Sequence, residues 1–220
     1  MATPDFTELK EKAQAVVEKV EKESVAVYLF LSNEFARGPV IDNWLFQFVY
    51  RSFYRLDNAG LTPAFKSAYF QCMEDARRSL NVDIPTIVKK LHGEPNRKGH
   101  ATLQFSFVTK LANTIDCCKY PIYDAEVARY FGFRAPSHTK SFDVRLAEFR
   151  TFYQWLGTLY EDVIAQGQVN EVIDRFYVAY GPESRQMPPL RVLDFIFWAA
   201  GKSELCPCHT YRCASVLIGG

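Results

Sequence analysis

The chain has 220 residues, of which 48% are hydrophobic and 15% are aromatic. That length and composition are sufficient to bury a substantial core, either in one large domain or in two lobes that share it. Its 26 basic and 25 acidic side chains nearly cancel, so net charge does not indicate nucleic-acid binding, and any basic surface has to be local.

The first half of the chain has the periodicity of amphipathic and buried helices. The predicted helices there span residues 6–23, 25–36, 43–53, 63–78 and 84–92. Asp42 and Thr62 are predicted N-caps, and Pro63 stands at the first helical position, which proline favours. Gly38 and Pro39 break the chain between the second and third helices.

The second half continues the same pattern after an exposed polar loop at residues 93–99. Its predicted helices span residues 102–116, 124–130, 142–166, 168–179 and 189–200. No segment alternates as a β-strand does, so the predicted fold class is all-α. We expect one helical domain over residues 1–220, as one body or two lobes, with a cleft near residues 100–130.

Cellular location is indicated by two absences in the sequence. No apolar run reaches the ~18 residues that a membrane span needs, and residues 1–22 lack the apolar centre of a signal peptide. The six cysteines are unevenly spread, which favours reduced thiols over a disulfide framework. We therefore expect a cytoplasmic protein that does not bind membranes and is a monomer.

The stretch from residue 105 to residue 127 carries the pattern most indicative of chemistry. Lys110 lies on an otherwise apolar helix, and Asp124 follows fourteen residues later, where a connection containing Pro121 meets the next helix. A carboxylate that caps a helix stays ionised because backbone amides donate to it. A lysine desolvated among Phe105, Phe107 and neighbouring helices would have a lowered pKa and act as a nucleophile.

These residues resemble the helix-hairpin-helix DNA glycosylases, most of all the 8-oxoguanine DNA glycosylase branch. The similarity lies in Thr109-Lys110-Leu111-Ala112-Asn113, in Pro121-Ile122-Tyr123-Asp124 and in Val127, about twenty residues in all. The resemblance implies a diverged glycosylase-like fold in which Lys110 is the nucleophile and Asp124 stabilises the charge that develops on the sugar. It also implies that a modified base is flipped out of double-stranded DNA into an aromatic pocket.

Further site residues follow from this resemblance and from the local charge. The predicted rings of the base pocket are Phe105, Phe107, Tyr123, Tyr153 and Trp155. The predicted DNA-binding residues are Lys89, Lys90, Arg97, Lys98, His100 and Ser106. Ser106 is included because residues 104–108, before the lysine, contain no glycine, whereas the family's hairpin is glycine-rich and grips phosphate through its backbone.

No metal or other cofactor is predicted. The chain lacks the spaced four-cysteine iron–sulfur site of endonuclease III relatives, and Cys206, Cys208 and Cys213 are too closely spaced for a typical zinc site. Arg191 and Asp194 are predicted to form a surface ion pair of little energetic weight on a closing core helix.

Three functions remain open at this level. Lysines on helices are usually solvated, and an aspartate at a helix start is usually only a cap. The chain is therefore interpreted first as a glycosylase, acting in repair or in defence against phage DNA with hypermodified bases. It is interpreted second as a non-catalytic DNA- or nucleotide-binding protein, and third as an interaction module.

Overall fold

The protein is helical throughout the part that the structure, a computed structural model, describes, which is residues 4–203. Its α-helices are α1 (Thr7–Glu11), α2 (Ala13–Glu18), α3 (Lys22–Arg37), α4 (Trp44–Phe53), α5 (Pro63–Ser79), α6 (Ile84–His92), α7 (Phe105–Ile115), α8 (Ala125–Tyr130), α9 (Phe142–Ala165), α10 (Asn170–Tyr180) and α11 (Pro189–Lys202). Two 3₁₀ turns, Leu56–Asn58 and Pro182–Gln186, complete the order, and β pairing within these residues is limited to an isolated bridge between Leu61 and Asn96. The predicted all-α class is confirmed. None of the helices in this range has both the length and the apolarity to cross a bilayer.

The N-terminal segment differs from its prediction as a single helix. The backbone of Lys12 leaves the helical region, with φ −99° and ψ 13°, and separates α1 from α2. The apolar stripe is buried as its spacing predicts, because Leu9, Ala13 and Val16 are all almost inaccessible. Both short helices pack on α10, and α2 also reaches α11.

Several helix starts, but not all, are fixed by a side-chain cap. Thr62 caps α5 through its Oγ1, with Pro63 at the first position, as predicted. The start of α4 is a correction, since Asn43 rather than Asp42 accepts the hydrogen bond from the backbone N–H of Phe46, at 3.0 Å. The side chain one residue closer to the helix thus satisfies an amide that would otherwise lack a partner.

The centre of the fold is α11, which is apolar on nearly all sides and almost completely buried. It packs against α2, α8, α9 and α10. A helix that is hydrophobic all round is a core helix rather than a surface helix. The predicted surface position of Arg191 and Asp194 is therefore wrong, because these residues are only 4% and 3% exposed.

The contact between α8 and α11 is close because Gly201 has no side chain. A Cβ at that position would lie 2.1 Å from the backbone oxygen of Glu126 and 2.7 Å from its carbonyl carbon. Those atoms belong to α8 itself, so they cannot move aside as the end of a flexible side chain could. The helix that starts at Asp124 is thus seated directly on α11.

Replacing Gly201 with alanine is expected to destabilise the fold by about 3 kcal/mol, the upper part of the range for overpacked interiors. Chemical denaturation would measure this loss. Gly157, in the middle of α9, is the matched control, because a Cβ there meets nothing within 4 Å. Gly157→Ala should stabilise the protein by up to about 1 kcal/mol through helix propensity alone. Equal effects of the two substitutions would contradict the close packing of α8 on α11.

Candidate active site

The connection between α7 and α8 is held in place by two side chains of the lysine-bearing helix. The hydroxyl of Thr109 accepts a hydrogen bond from the backbone N–H of Tyr123 at 3.1 Å. The amide of Asn113 donates to the backbone oxygen of Tyr120 at 2.7 Å. Both are residues of the motif on which the resemblance depends, and both act here by fixing the chain that leads to Asp124.

Two more distant residues secure the same connection from the other side. Asp194 on α11 accepts a hydrogen bond from the backbone N–H of Ile122 at 2.9 Å through Oδ1. The hydroxyl of Tyr153 on α9 donates to the backbone oxygen of Pro121 at 2.8 Å. Helices α7, α9 and α11 therefore all fix the position from which α8 begins.

Lys110 and Asp124 are brought together by this arrangement. The Nζ of Lys110 lies 3.5 Å from Oδ2 of Asp124. The other carboxylate oxygen, Oδ1, accepts a hydrogen bond from the backbone N–H of Glu126 at 3.0 Å. The predicted cap and the predicted proximity of the two side chains are confirmed, and one carboxylate serves both purposes because each oxygen has its own partner.

Burial is the largest influence on the charge of Lys110. Burial lowers the pKa of the Lys110 amine, although the nearby Asp124 carboxylate acts in the opposite direction. The rings of Phe107 and Tyr54 lie beside the amine, with centroids 5.3 and 5.7 Å from Nζ. A lowered pKa leaves a larger fraction of the amine neutral near pH 7, and the neutral form is the nucleophile.

A cavity of about 670 Å³ opens beside this pair, a size within the range of small-molecule and cofactor sites. Helices α3, α4, α8 and α11 form its walls together with Tyr54, Arg55 and Lys110 of α7. Its ionisable lining residues are Glu21, Glu23, Arg55, Lys110, Asp124, Glu126, Arg191, Asp194 and Lys202. Its aromatic lining residues are Phe48, Phe53, Tyr54, Phe195 and Trp198. The cavity thus combines ring surfaces with charges of both signs.

A second ion pair, which the sequence predicts only as a surface pair, also lines the cavity. The Nη1 of Arg191 donates to Oδ2 of Asp194 at 3.3 Å. Burial raises the pKa of Asp194 to about 7, while the guanidinium and the N–H of Ile122 oppose that rise. The signal that could have located this pair is its setting, since Arg191 and Asp194 stand three residues apart in a run that is otherwise apolar on every side.

The five rings predicted to form the base pocket lie outside the lining of this cavity. Phe105 stacks on Phe149 at a centroid distance of 5.2 Å, and Tyr123 meets both of these rings edge to face. The ring of Tyr153 contacts that of Phe105, and the ring of Trp155 contacts those of Phe131 and Phe152. Phe107 is the member that lies next to Lys110. The structure therefore uses these rings as core, and other helices supply the rings of the cavity.

The predicted DNA-binding residues also lie outside the cavity lining. Lys89, Lys90, Arg97, Lys98 and His100 are exposed on α6 and the following loop, and Ser106 is half-buried on the first turn of α7. The loop is attached to the turn after Arg55, because the backbone N–H of Arg97 donates to the oxygen of Gly60 at 2.8 Å. Since Arg55 lines the cavity, the basic loop and the cavity are linked through this short turn.

The predicted role of the basic loop in DNA binding is tested by replacing both Arg97 and Lys98 with glutamine. If the loop binds phosphates, this substitution weakens DNA binding uniformly across sequences and reduces its salt dependence. Each lost phosphate contact lowers the slope of log affinity against log salt by roughly 0.9. Affinity for plain duplexes at several salt concentrations would measure this. Lys10→Gln with Lys19→Gln, a double substitution near the N-terminus, is the charge-matched control. If the slope of log affinity against log salt is unchanged in the double variant at residues 97 and 98, the loop does not contact DNA phosphates.

The cysteine cluster Cys206, Cys208 and Cys213 lies outside the described residues. Within residues 4–203, no three His, Cys, Asp or Glu side chains are grouped so that they could hold a metal ion. The free cysteines there are Cys72, Cys117 and Cys118.

No family model, no curated protein and no solved structure matches this chain.

Proposed function

We propose that this protein is a DNA glycosylase-like enzyme that excises a damaged or modified base from double-stranded DNA, on a diverged helix-hairpin-helix glycosylase-like fold. One observation carries the proposal. An amine whose pKa is lowered by burial lies 3.5 Å from a carboxylate at the wall of a cavity large enough for a nucleotide. A desolvated lysine beside a fixed carboxylate is a recurrent arrangement for attack on an electrophilic carbon.

The proposed reaction occurs at the anomeric carbon of the target nucleotide. The glycosidic bond breaks, its electron pair leaves with the base, and the sugar acquires oxocarbenium character that the Asp124 carboxylate stabilises. The neutral amine of Lys110 forms the new bond to that carbon and, after it loses a proton and the sugar ring opens, becomes a Schiff base. Asp124 Oδ2 is close enough to Nζ to take up the proton.

The surface around the cavity has features that suit an extruded base and its strand. Trp44, Leu45 and Phe48 on α4 are all more than half exposed, and Phe48 also lines the cavity. Aromatic rings in such positions can stack on bases regardless of sequence. Arg55, at the wall of the cavity, has left-handed backbone geometry with φ 59°, which is uncommon for a residue other than glycine. Its charge and the linked basic loop provide cations for the DNA phosphates.

The experiment that tests this function uses short duplexes that each contain one modified base, among them 8-oxoguanine and hypermodified bases of phage DNA. Purified protein is incubated with each duplex, base release is measured, and borohydride is added to trap a Schiff base. Release from one or more duplexes is expected, with a covalent complex for the same duplex. Binding without release would make the protein a DNA-binding module. The absence of both release and binding would exclude the proposal.

Repair of an oxidised base and defence against phage DNA differ only in the base that is removed. The duplex that is cleaved in this panel therefore decides between them.

A further inference from the structure

Arg55 is a cation at the wall of the cavity that no described residue neutralises. Its side chain is exposed and lines the cavity, and within residues 4–203 its guanidinium forms neither an ion pair nor a hydrogen bond. Lys110 and Arg191 differ in this respect, because each of them is paired with an aspartate. A guanidinium that lacks a partner is suited to a carboxylate or a phosphate, whose oxygens accept its parallel N–H groups.

The charge of Arg55 acts on the amine of Lys110. Burial has the largest effect on the pKa of Lys110 and lowers it, whereas Asp124 raises it. The charged groups with the next strongest effects are Arg191 and Arg55, and both lower this pKa. Glu21, Glu23 and Lys202 also line the cavity, but they are exposed and are not among these strongest effects. The free charge that acts most on the amine is therefore the cation of Arg55.

The backbone at Arg55 does not account for the choice of an arginine. With φ 59° and ψ 29°, this residue is left-handed just after the end of α4, a position at which glycine is common. Left-handed geometry is less favourable for every residue that carries a Cβ. Leu80 has the same geometry after α5, with φ 52°, and is 84% exposed outside the cavity lining. Local geometry alone would thus favour glycine at position 55.

We propose that the cavity binds small aldehydes or ketones that carry an anionic group, with the carbonyl carbon at Lys110 and the carboxylate or phosphate on Arg55. The site shares Lys110 with the proposed function but requires no DNA, so it adds a class of small molecules to the ligands of the cavity. The volume of about 670 Å³ is sufficient for such molecules. The rings of Phe107 and Tyr54 beside the amine provide apolar surface for their carbon chain.

The reaction at Lys110 is the reversible formation of an imine. The neutral amine adds to the carbonyl carbon, the carbon–oxygen π bond breaks, and a proton passes from nitrogen to the oxygen. With one further proton from solvent the resulting hydroxyl leaves as water, and a protonated imine remains. Asp124 Oδ2, 3.5 Å from Nζ, is placed to carry the proton and then to pair with the cationic imine.

The test uses two pairs of aldehydes of similar size, with and without an anion. Succinic semialdehyde is compared with butanal, and glyceraldehyde 3-phosphate is compared with glyceraldehyde. Each is incubated with the full-length protein and cyanoborohydride, and peptide mapping measures the labelling of each lysine. At least one anionic aldehyde is expected to label Lys110 about tenfold or more faster than its uncharged counterpart, as for a charge-assisted hydrogen bond. Lys119, exposed on the connection after α7, is the internal reference and should show no such preference.

Arg55→Gly removes the cation and suits the left-handed backbone, so the fold should be kept while the preference for the anionic aldehyde is lost. Arg55→Asn is measured alongside it, because asparagine also tolerates this geometry. Arg55→Lys keeps the charge and should keep part of the preference. Leu80→Gly is the matched control, since it makes the same backbone change outside the cavity lining and should leave the labelling of Lys110 unchanged.

Equal labelling of Lys110 by both members of each pair would overturn the inference. Labelling of Lys110 no faster than that of Lys119, a preference that survives in Arg55→Gly, or its loss in Leu80→Gly would do the same. The pair with the larger difference identifies the anion as carboxylate or phosphate. Anion preference without base release from any duplex would contradict only the glycosylase, and base release without anion preference would contradict only this inference.

Discussion

Lys110→Gln is expected to abolish borohydride trapping on a duplex that the wild-type protein cleaves. Glutamine keeps most of the length of the side chain and its ability to donate a hydrogen bond to Asp124, but it has no amine to form a Schiff base. Lys119→Gln is the matched control, because Lys119 also lies beside an aromatic ring, that of Tyr120 at 5.1 Å, and is exposed. That control should be trapped as efficiently as the wild type.

The pH dependence of trapping follows from the burial of the Lys110 amine. The rate should rise with pH as the amine of Lys110 loses its proton, and it should level off below the usual lysine pKa of about 10.4 because burial lowers the pKa here. If Lys110→Gln still releases the base and only the trapping is lost, water is the attacking group. The Schiff base of the wild type would then be a step that base release does not require.

Asp124→Asn is expected to slow base release by a factor of at least about a hundred while leaving duplex binding nearly unchanged. The carboxylate acts on charge that develops only in the transition state, so its loss should appear in the rate rather than in affinity. Removing a single electrostatic stabiliser of this kind costs roughly 10²–10³ in rate in other enzymes.

The substitution by asparagine separates catalysis from stability at this position. Oδ1 of Asp124 caps α8, and asparagine is as good a cap as aspartate, so the hydrogen bond to Glu126 can be kept. Asp83→Asn is the structural control, since Asp83 caps α6 in the same way through the N–H of Thr86. Full activity of Asp124→Asn on a confirmed substrate would reduce Asp124 to a cap and remove the basis for comparing this chain with glycosylases.

Much of the helical architecture could be predicted because it depends on local information. Apolar periodicity located the helices, and side-chain oxygens before them located several starts, including those at Thr62 and Asp124. The proximity of Lys110 to Asp124 was also predictable, because only one short connection separates the two helices. The helix boundaries in the structure differ from the predicted ones where the backbone of a single residue, such as Lys12, is not helical.

The walls of the cavity could not be predicted in the same way. Periodicity shows which face of a helix is apolar, but it does not show whether that face meets another helix or an open space. The sequence therefore predicts a pocket lined by Phe105, Tyr123 and Tyr153, although these rings pack against one another. Phe48, Phe195 and Trp198 come from α4 and α11, which are far from the motif in sequence and reach it only through tertiary packing.

The bonds that Asp194 makes to α7 and to the connection before α8 have a consequence for synthesis of the protein. They join residues 72 and 81 positions apart, Ile122 and Asn113 on one side and Asp194 on the other. A ribosome releases Lys110 and Asp124 well before it has made α11, so the nascent chain contains both residues without the carboxylate that fixes their connection. Chains that stop before α11 would then carry Lys110 and Asp124 on an unfixed connection, and the arrangement described above would form only when this helix has left the exit tunnel.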